Sequence, residues 1–138
     1  MKPKILFLCT GNSCRSQMAE GLVKHLRGDR LEAYSAGIEK HGLNPLAIKV
    51  MEQIGIDISN YRSKTVDEIE DVEFDYVVTV CDHAQKTCPG FSAKGFSAKP
   101  KVVLRAFDDP PKLAVAEPGL YKQMQHYQRV RDEIKEYV

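Results

Sequence analysis

The feature that most constrains the fold of this chain is its alternation of short apolar runs with amphipathic stretches. Apolar residues recur at helical spacing after the first run, from Met18, and after the second, from Leu46. Buried strands that alternate with helices form a parallel sheet with helices on both faces. The pattern therefore predicts an α/β fold. The four runs that we predict as strands are 4–9, 31–36, 75–80 and 101–107.

Turn and capping residues indicate where the helices begin and end. We predict that Gly28 and Gly55 end the first two helices and that the second begins after Asn44. Thr65 and Glu68 have the spacing of a capping box for a short helix. The last helix should bury one apolar stripe, made of Leu120, Met124, Tyr127, Val130, Ile134 and Val138.

Length and charge limit the kinds of protein this can be. A chain of 138 residues fits one domain, 1–138. Twenty Lys and Arg against nineteen Asp and Glu give a net charge of +1, so composition offers no case for binding nucleic acid or a membrane. The apolar run at 5–9 is shorter than a secretory or membrane-spanning segment. We expect a cytoplasmic monomer, in which the four cysteines are reactive or metal-binding.

The segment after the first predicted strand has the composition of an oxyanion-binding loop. Its flexible Gly11 lets successive backbone N–H groups turn inward at the start of a helix. Arg15 adds a guanidinium fork, and these positive groups favour a nucleophilic thiolate at Cys9, to which Ser16 can donate a hydrogen bond. The alternative is an inert buried cysteine. We assign oxyanion binding to Thr10, Gly11, Asn12, Ser13, Cys14 and Arg15, with Cys14 a bystander as a nucleophile.

A nucleophilic attack that expels an oxygen needs a proton donor. Asp109 follows the fourth predicted strand and precedes Pro110, on a rigid turn. Cys9 and Cys81 also stand at the ends of predicted strands, so the three residues could meet at one edge of the sheet. Asp109 is therefore our candidate proton donor, although an Asp-Pro pair is also a common turn.

Cys81 and Cys88 lie seven residues apart. In a helix their Cα atoms would be about 10 Å apart, too far for a disulfide, so a bridge requires a loop or local unwinding. This spacing suggests a redox switch. A purely structural role is one alternative, and a zinc site that includes His83 is another, but a fourth ligand at standard spacing is missing, and we predict no metal.

Together these residues resemble the thioredoxin-coupled arsenate reductases, which are built on the low-molecular-weight protein-tyrosine-phosphatase fold. The resemblance extends from Lys4 to the helix around Ile134 and implies a four-stranded parallel sheet. The motifs that carry it are the segment 9–21, Tyr34-Ser35-Ala36-Gly37, His41-Gly42, Asn44-Pro45, Cys81 with Cys88, and Asp108-Asp109-Pro110.

The resemblance also implies a mechanism. Cys9 would attack arsenate while Asp109 protonates the leaving oxygen. Cys81 would then attack the adduct, which releases arsenite and leaves a Cys9–Cys81 disulfide. Cys88 would convert this to a Cys81–Cys88 disulfide, which thioredoxin reduces. No cofactor stays bound, and phosphate or sulfate can occupy the anion loop.

Supporting roles follow from the same resemblance. Arg15 would hold the oxyanion, Ser16 would stabilise the thiolate and Asn12 would brace the loop. Some members bind potassium through residues that correspond to Asn12, Glu20, Ser35 and an aspartate, and here Lys64 stands at the aspartate's position. We therefore doubt a potassium site, because an ammonium could take the cation's place.

Two other functions stay open on sequence alone. A low-molecular-weight phosphatase would use water where the reductase uses Cys81, and an oxyanion sensor would need neither Cys88 nor Asp109. The segment 90–94 is repeated as 95–99, which lengthens the region after Cys81. The repeat is either a neutral duplication or a contact with a partner.

Overall fold

A four-stranded parallel sheet lies at the centre of the protein, and its strands, counted along the chain, lie in the order second, first, third, fourth. The computed structural model describes residues 2–69, 72–80, 101–115 and 119–138. The predicted α/β class and the implied four-stranded sheet are confirmed. The strands are β1 Lys4–Cys9, β2 Glu32–Gly37, β3 Tyr76–Thr79 and β4 Lys101–Leu104.

The helices pack around this sheet and against one another. The first helix lies on β1 and β2, and among the described helices the last one contacts the other three. Among the described residues, none of the helices combines the length and the apolar character needed to cross a lipid bilayer. The helices are α1 Arg15–Arg27, α2 Pro45–Glu52, α3 Pro110–Ala114 and α4 Leu120–Tyr137, with a 3₁₀ turn at Val66–Ile69.

Strand β1 is the most deeply buried part of the sheet. Leu6, Phe7, Leu8 and Cys9 are each at most 4% exposed. Successive side chains of a strand point to opposite faces, so burial of all four means that both faces are covered at this strand. The end of β1, where Cys9 lies, is therefore held in place by packing on both faces of the sheet.

The fourth strand ends earlier than the sequence predicts. The run 101–107 forms a ladder only as far as Leu104. Beyond it, the N–H groups of Arg105 and Phe107 still donate to the carbonyls of Thr79 and Val80, at 2.9 and 3.0 Å. The chain thus follows β3 closely although it leaves the regular strand, and this path brings Phe107 and the residues after it to the edge where β1 ends.

The apolar stripe predicted for the last helix is wrong at its first position. Leu120 is 57% exposed, because the first turn of α4 projects beyond the packed part of the helix. The buried side chains begin at Tyr127 and continue with Val130 and Ile134. They include one charged residue, Arg131, whose Nη1 donates to the carbonyl of Val50 at 2.9 Å.

Most predicted helix boundaries are confirmed by specific contacts. Asn44 caps α2, since its Oδ1 accepts hydrogen bonds from the N–H groups of Leu46 and Ala47. Gly55 has a φ of 80°, a left-handed conformation that glycine adopts without steric cost. The capping box at Thr65 is half formed. The Glu68 carboxylate accepts a hydrogen bond from the backbone N–H of Thr65 at 2.8 Å, and the short helix that follows is a 3₁₀ turn.

Candidate active site

A small cavity lies at the carboxyl end of β1, between this strand and the first turn of α1. Its volume is about 280 Å³. Cys9 and Asp109, which are a hundred residues apart in sequence, both line it, as predicted from their places at strand ends. The full lining is Cys9, Thr10, Gly11, Ser13, Cys14, Arg15, His41, Asp109 and Pro111.

Asn12 fixes the conformation of the loop that leads into the N-terminus of α1. Its φ of 49° lies in the left-handed region, and its side chain is fully buried. Its Oδ1 accepts hydrogen bonds from Gln17 Nε2 at 2.9 Å and from the backbone N–H of Lys64 at 2.8 Å. Its Nδ2 donates to Ser16 Oγ at 2.9 Å. Because Ser16 accepts this bond, its own hydroxyl proton remains available for a further contact.

Arg15 brings a buried positive charge to the cavity. One of its terminal nitrogens, Nη1, donates to the carbonyl of Phe107 at 3.0 Å, and the other, Nη2, lies 3.6 Å from a carboxylate oxygen of Asp109. Its Nε is buried and has no hydrogen-bond partner within the described parts of the chain. A guanidinium held by two anchors, with one donor still unpaired, suits an oxyanion.

Asp109 stands directly before α3, which begins with Pro110 and Pro111. Its side chain is 39% exposed and makes no capping hydrogen bond to the described backbone of this helix. The two prolines fix the backbone that follows it, so the carboxylate is rigidly placed yet open to the cavity. The turn thus places this carboxylate beside Arg15, and the role of Asp109 as a proton donor stays a prediction.

Cys14, like Cys9, is a buried free cysteine. Burial raises the pKa of the Cys14 thiol far above its ordinary value, against the smaller lowering effect of Arg15. Cys14 is therefore a neutral thiol at physiological pH and a poor nucleophile. The role of Cys14 as a bystander, whose backbone rather than its sulfur belongs to the loop, stays a prediction.

Close packing beneath the loop requires glycine at position 37 and places His41 directly against Gly11. A Cβ atom on Gly37 would come within 2.8 Å of the backbone nitrogen of Asn12. A Cβ atom on Gly11 would collide with the imidazole of His41, which lies over the loop. The loop therefore rests directly on the end of β2 and on the turn that follows it.

The comparisons with known proteins identify the family. Residues 4–138 match the family described as low molecular weight phosphotyrosine protein phosphatase. The chain belongs to this family. Within it, the chain is 50% identical to an arsenate reductase of Halalkalibacterium halodurans, over 96% of this chain and 90% of that protein. It is 47% identical to an arsenate reductase of Bacillus cereus, over 99% of this chain and 92% of that one.

Solved structures of the low molecular weight phosphatase family agree with this placement. An arsenate reductase described in its phosphate-binding state superimposes with a TM-score of 0.75 at 29% identity, over 99% of this chain and 93% of that one. A tyrosine phosphatase of Erwinia amylovora reaches 0.74 at 19% identity, over 99% and 88%, and so shows only the shared fold. The sequence resemblance is confirmed, and its arsenate reductase branch is the one that the curated relatives support.

Not every predicted site residue falls within the described part of the chain. Cys81 and Cys88, with the alternative zinc ligand His83, lie outside the described residues, as does the repeat at 90–99. Within the described ranges, no group of three or more His, Cys, Asp and Glu side chains could hold a metal ion. The redox pair stays a prediction.

Sequence reasoning missed three supports of the loop. Gln17 is fully buried in α1 and donates to Asn12, and Ser63 donates to the carbonyl of Gly11 at 2.9 Å. His41 lines the cavity and its Nε2 lies 2.7 Å from a carboxylate oxygen of Glu39, although the sequence indicated no role for it beyond its place in the His41-Gly42 motif. One signal was available, since a polar side chain in the first turn of a helix that begins at a buried strand end, such as Gln17, needs a hydrogen-bond partner when buried.

Proposed function

We propose that this protein reduces arsenate to arsenite. The observation that carries the proposal is the meeting of Cys9, Arg15 and Asp109 at one small cavity, in a chain about half identical to curated arsenate reductases. The cavity holds a nucleophile, a cation for an oxyanion and a carboxyl group for a leaving oxygen. These are the three groups that attack on a tetrahedral oxyanion requires.

The first step uses residues of the described cavity. The N–H groups of the loop and the guanidinium of Arg15 bind arsenate, and the Cys9 thiolate attacks arsenic. Asp109, in its protonated form, gives its proton to the departing oxygen, which leaves as water. Arsenic is still As(V) in the resulting Cys9 adduct. Phosphate and sulfate have the same tetrahedral shape and should compete for the loop.

The reduction itself requires the second thiol. The Cys81 thiolate attacks the sulfur of Cys9, so a disulfide forms and the sulfur–arsenic electron pair passes to arsenic, which leaves as arsenite, As(III). Cys88 then attacks Cys81, which frees Cys9 as a thiolate and leaves a Cys81–Cys88 disulfide. Thioredoxin, as the proposed partner, reduces that disulfide and restores the three thiols. We propose that the enzyme works as a cytoplasmic monomer with no bound cofactor.

The relay predicts a specific defect for Cys88→Ser. With arsenate, thioredoxin, thioredoxin reductase and NADPH, the wild type should oxidise NADPH continuously. Cys88→Ser should stop after one turnover as a Cys9–Cys81 disulfide, which peptide mapping without reduction detects. Cys14→Ser is the matched control, because it also removes a thiol but leaves the relay intact, and it should continue to turn over.

The same variants test the phosphatase alternative. Hydrolysis of an aryl phosphate uses Cys9 and Asp109 but not Cys88, so any such activity should survive Cys88→Ser and disappear in Cys9→Ser. Sustained arsenate-dependent NADPH oxidation by Cys88→Ser would contradict the relay. Hydrolysis of aryl phosphate without any arsenate reduction by the wild type would make the protein a phosphatase.

A further inference from the structure

The Lys64 ammonium lies in a cluster of residues next to the anion loop that do not line the cavity. Lys64 Nζ is 3.7 Å from Oε1 of Glu20, and both side chains are largely buried, with exposed fractions of 15% and 6%. Glu20 is on α1, one turn after the residues that form the site. A buried carboxylate without a compensating charge would be strongly destabilising, so this pair matters to the region around it.

The backbone of Lys64 is tied to the loop as well. Its N–H donates to Asn12 Oδ1 at 2.8 Å, and its carbonyl accepts from the N–H of Gly37 at 2.8 Å. The neighbouring Ser63 donates to the carbonyl of Gly11. One short segment thus joins the end of β2, the anion loop and, through the ammonium, helix α1.

The residues that would hold a potassium ion in this place do not fit one. Oε1 of Glu20 accepts a hydrogen bond from Ser35 Oγ at 2.5 Å, and Oε2 pairs with Lys24 Nζ at 2.6 Å. Oδ1 of Asn12 already accepts two hydrogen bonds. Among the described residues of this cluster, one buried side-chain oxygen has no partner, Oε1 of Gln17. A single neutral carbonyl, in a cluster that already contains the Lys64 ammonium, cannot compensate a second cation.

We propose that the Lys64 ammonium is a built-in counter-cation for Glu20, which holds the anion loop in its binding conformation so that the loop needs no free monovalent cation. Lys64 is a positioning residue, which affects oxyanion binding without touching the oxyanion. Its backbone N–H donates to the side chain of Asn12, which in turn donates to Ser16. The proposal rests on the oxyanion-binding role of the loop in the proposed function.

The charges around Lys64 are consistent with this role. Burial lowers the pKa of the Lys64 ammonium, and the nearby cations Lys24 and Arg62 add to the lowering, whereas Glu20 raises it. Tyr61 lies under Lys24, whose Nζ is 4.8 Å from the ring centroid. Glu20 is therefore the anion that keeps Lys64 charged, and a potassium ion added to the same place would meet two lysines.

The first experiment uses the unmodified protein. Its thermal unfolding midpoint is compared in potassium chloride and in choline chloride at equal ionic strength, since choline is too large for a buried cation site. We expect the same midpoint in both salts. A higher midpoint in potassium chloride would overturn the proposal, and this measurement does not depend on whether any variant folds.

The second experiment compares Lys64→Met with Lys24→Met, its matched control. Both changes remove an ammonium from Glu20. Of these two residues, only Lys64 also contacts the loop in the described structure, through its backbone N–H, so only its ammonium ties the loop to Glu20. Lys64→Met removes the ammonium that ties this segment to Glu20 and leaves Glu20 with Lys24 as its remaining cation, so it should weaken phosphate binding about tenfold in calorimetry and raise KM for arsenate more than it lowers kcat. Lys24→Met should change phosphate affinity less than twofold.

The outcomes separate this proposal from the proposed function. Equal losses of phosphate affinity in the two variants, or no loss in Lys64→Met, would overturn the positioning role of Lys64. Failure of the unmodified protein to bind phosphate or to reduce arsenate would instead contradict the proposed function. A protein that binds phosphate and reduces arsenate but is stabilised by potassium would retain the function and lose this inference.

Discussion

Individual side chains at the site have roles that depend on their geometry more than on their charge. Arg15 is the clearest example, because its guanidinium contacts the carbonyl of Phe107 and the carboxylate of Asp109 while its buried Nε has no partner within the described chain. A lysine has no planar fork, so it cannot keep both anchors and still present a donor.

Arg15→Lys should therefore bind phosphate much more weakly although the net charge is unchanged. Loss of a charge-assisted hydrogen bond costs about 1.5–3 kcal/mol, which corresponds to about a 10- to 100-fold higher Kd in isothermal calorimetry. Arg27→Lys, at the exposed end of the same helix, is the control and should bind like the wild type. Equal affinity in the two variants would mean that Arg15 acts only as a point charge.

At this scale the sequence predicted the groups that touch the cavity better than the groups that support it. Cys9, Arg15 and Asp109 were predicted because each lies at the end of a predicted strand or the start of a predicted helix, where ligands bind. Gln17 and Ser63 were not predicted. The partner of Gln17, Asn12, lies five residues earlier in the loop, and the partner of Ser63 lies 52 residues away in sequence. Such contacts depend on side-chain directions that the hydrophobic pattern does not encode.

At the scale of elements, the fold was predictable because local signals agreed with one another. Asn44 before Pro45 predicted the start of α2, and its side chain caps that helix as expected. The exposed first turn of α4 was not predictable from periodicity, since Leu120 continues the apolar stripe of that helix but the packed surface does not reach it. Periodicity shows which face is apolar but not how far the neighbouring elements extend.

Asn44 also connects two helices, because its Nδ2 donates to the hydroxyl of Tyr127 on α4 at 3.1 Å. Asn44→Ala loses both the cap of α2 and this link, and it should lower the free energy of unfolding by about 1–2 kcal/mol in urea titrations. Tyr127→Phe removes only the link and should cost about 1 kcal/mol or less. A smaller loss in Asn44→Ala than in Tyr127→Phe would contradict the capping role.

At the scale of the whole molecule, burial of weak acids makes stability depend on pH. Burial raises the pKa of Tyr34 and of Tyr127 to about 12, from an ordinary value of 10.0, and it raises the pKa of the Cys14 thiol further. These groups stay protonated in the folded protein at a pH where they ionise in the unfolded chain. The unfolded state then binds fewer protons, so stability must fall as the pH rises.

We therefore expect the free energy of unfolding to decrease from about pH 9, where an unfolded cysteine begins to ionise, and to fall further between about pH 10 and 12. The lowered pKa of Lys64 has the opposite effect on the pH dependence of stability. The test therefore compares how steeply the free energy of unfolding falls with pH in the wild type and in variants. Urea titrations across this range should give a shallower decline for Tyr127→Phe than for the wild type. Tyr121→Phe, at a site 78% exposed, should follow the wild type. Parallel curves for all three proteins would show that the Tyr127 hydroxyl ionises equally readily in the folded and unfolded states.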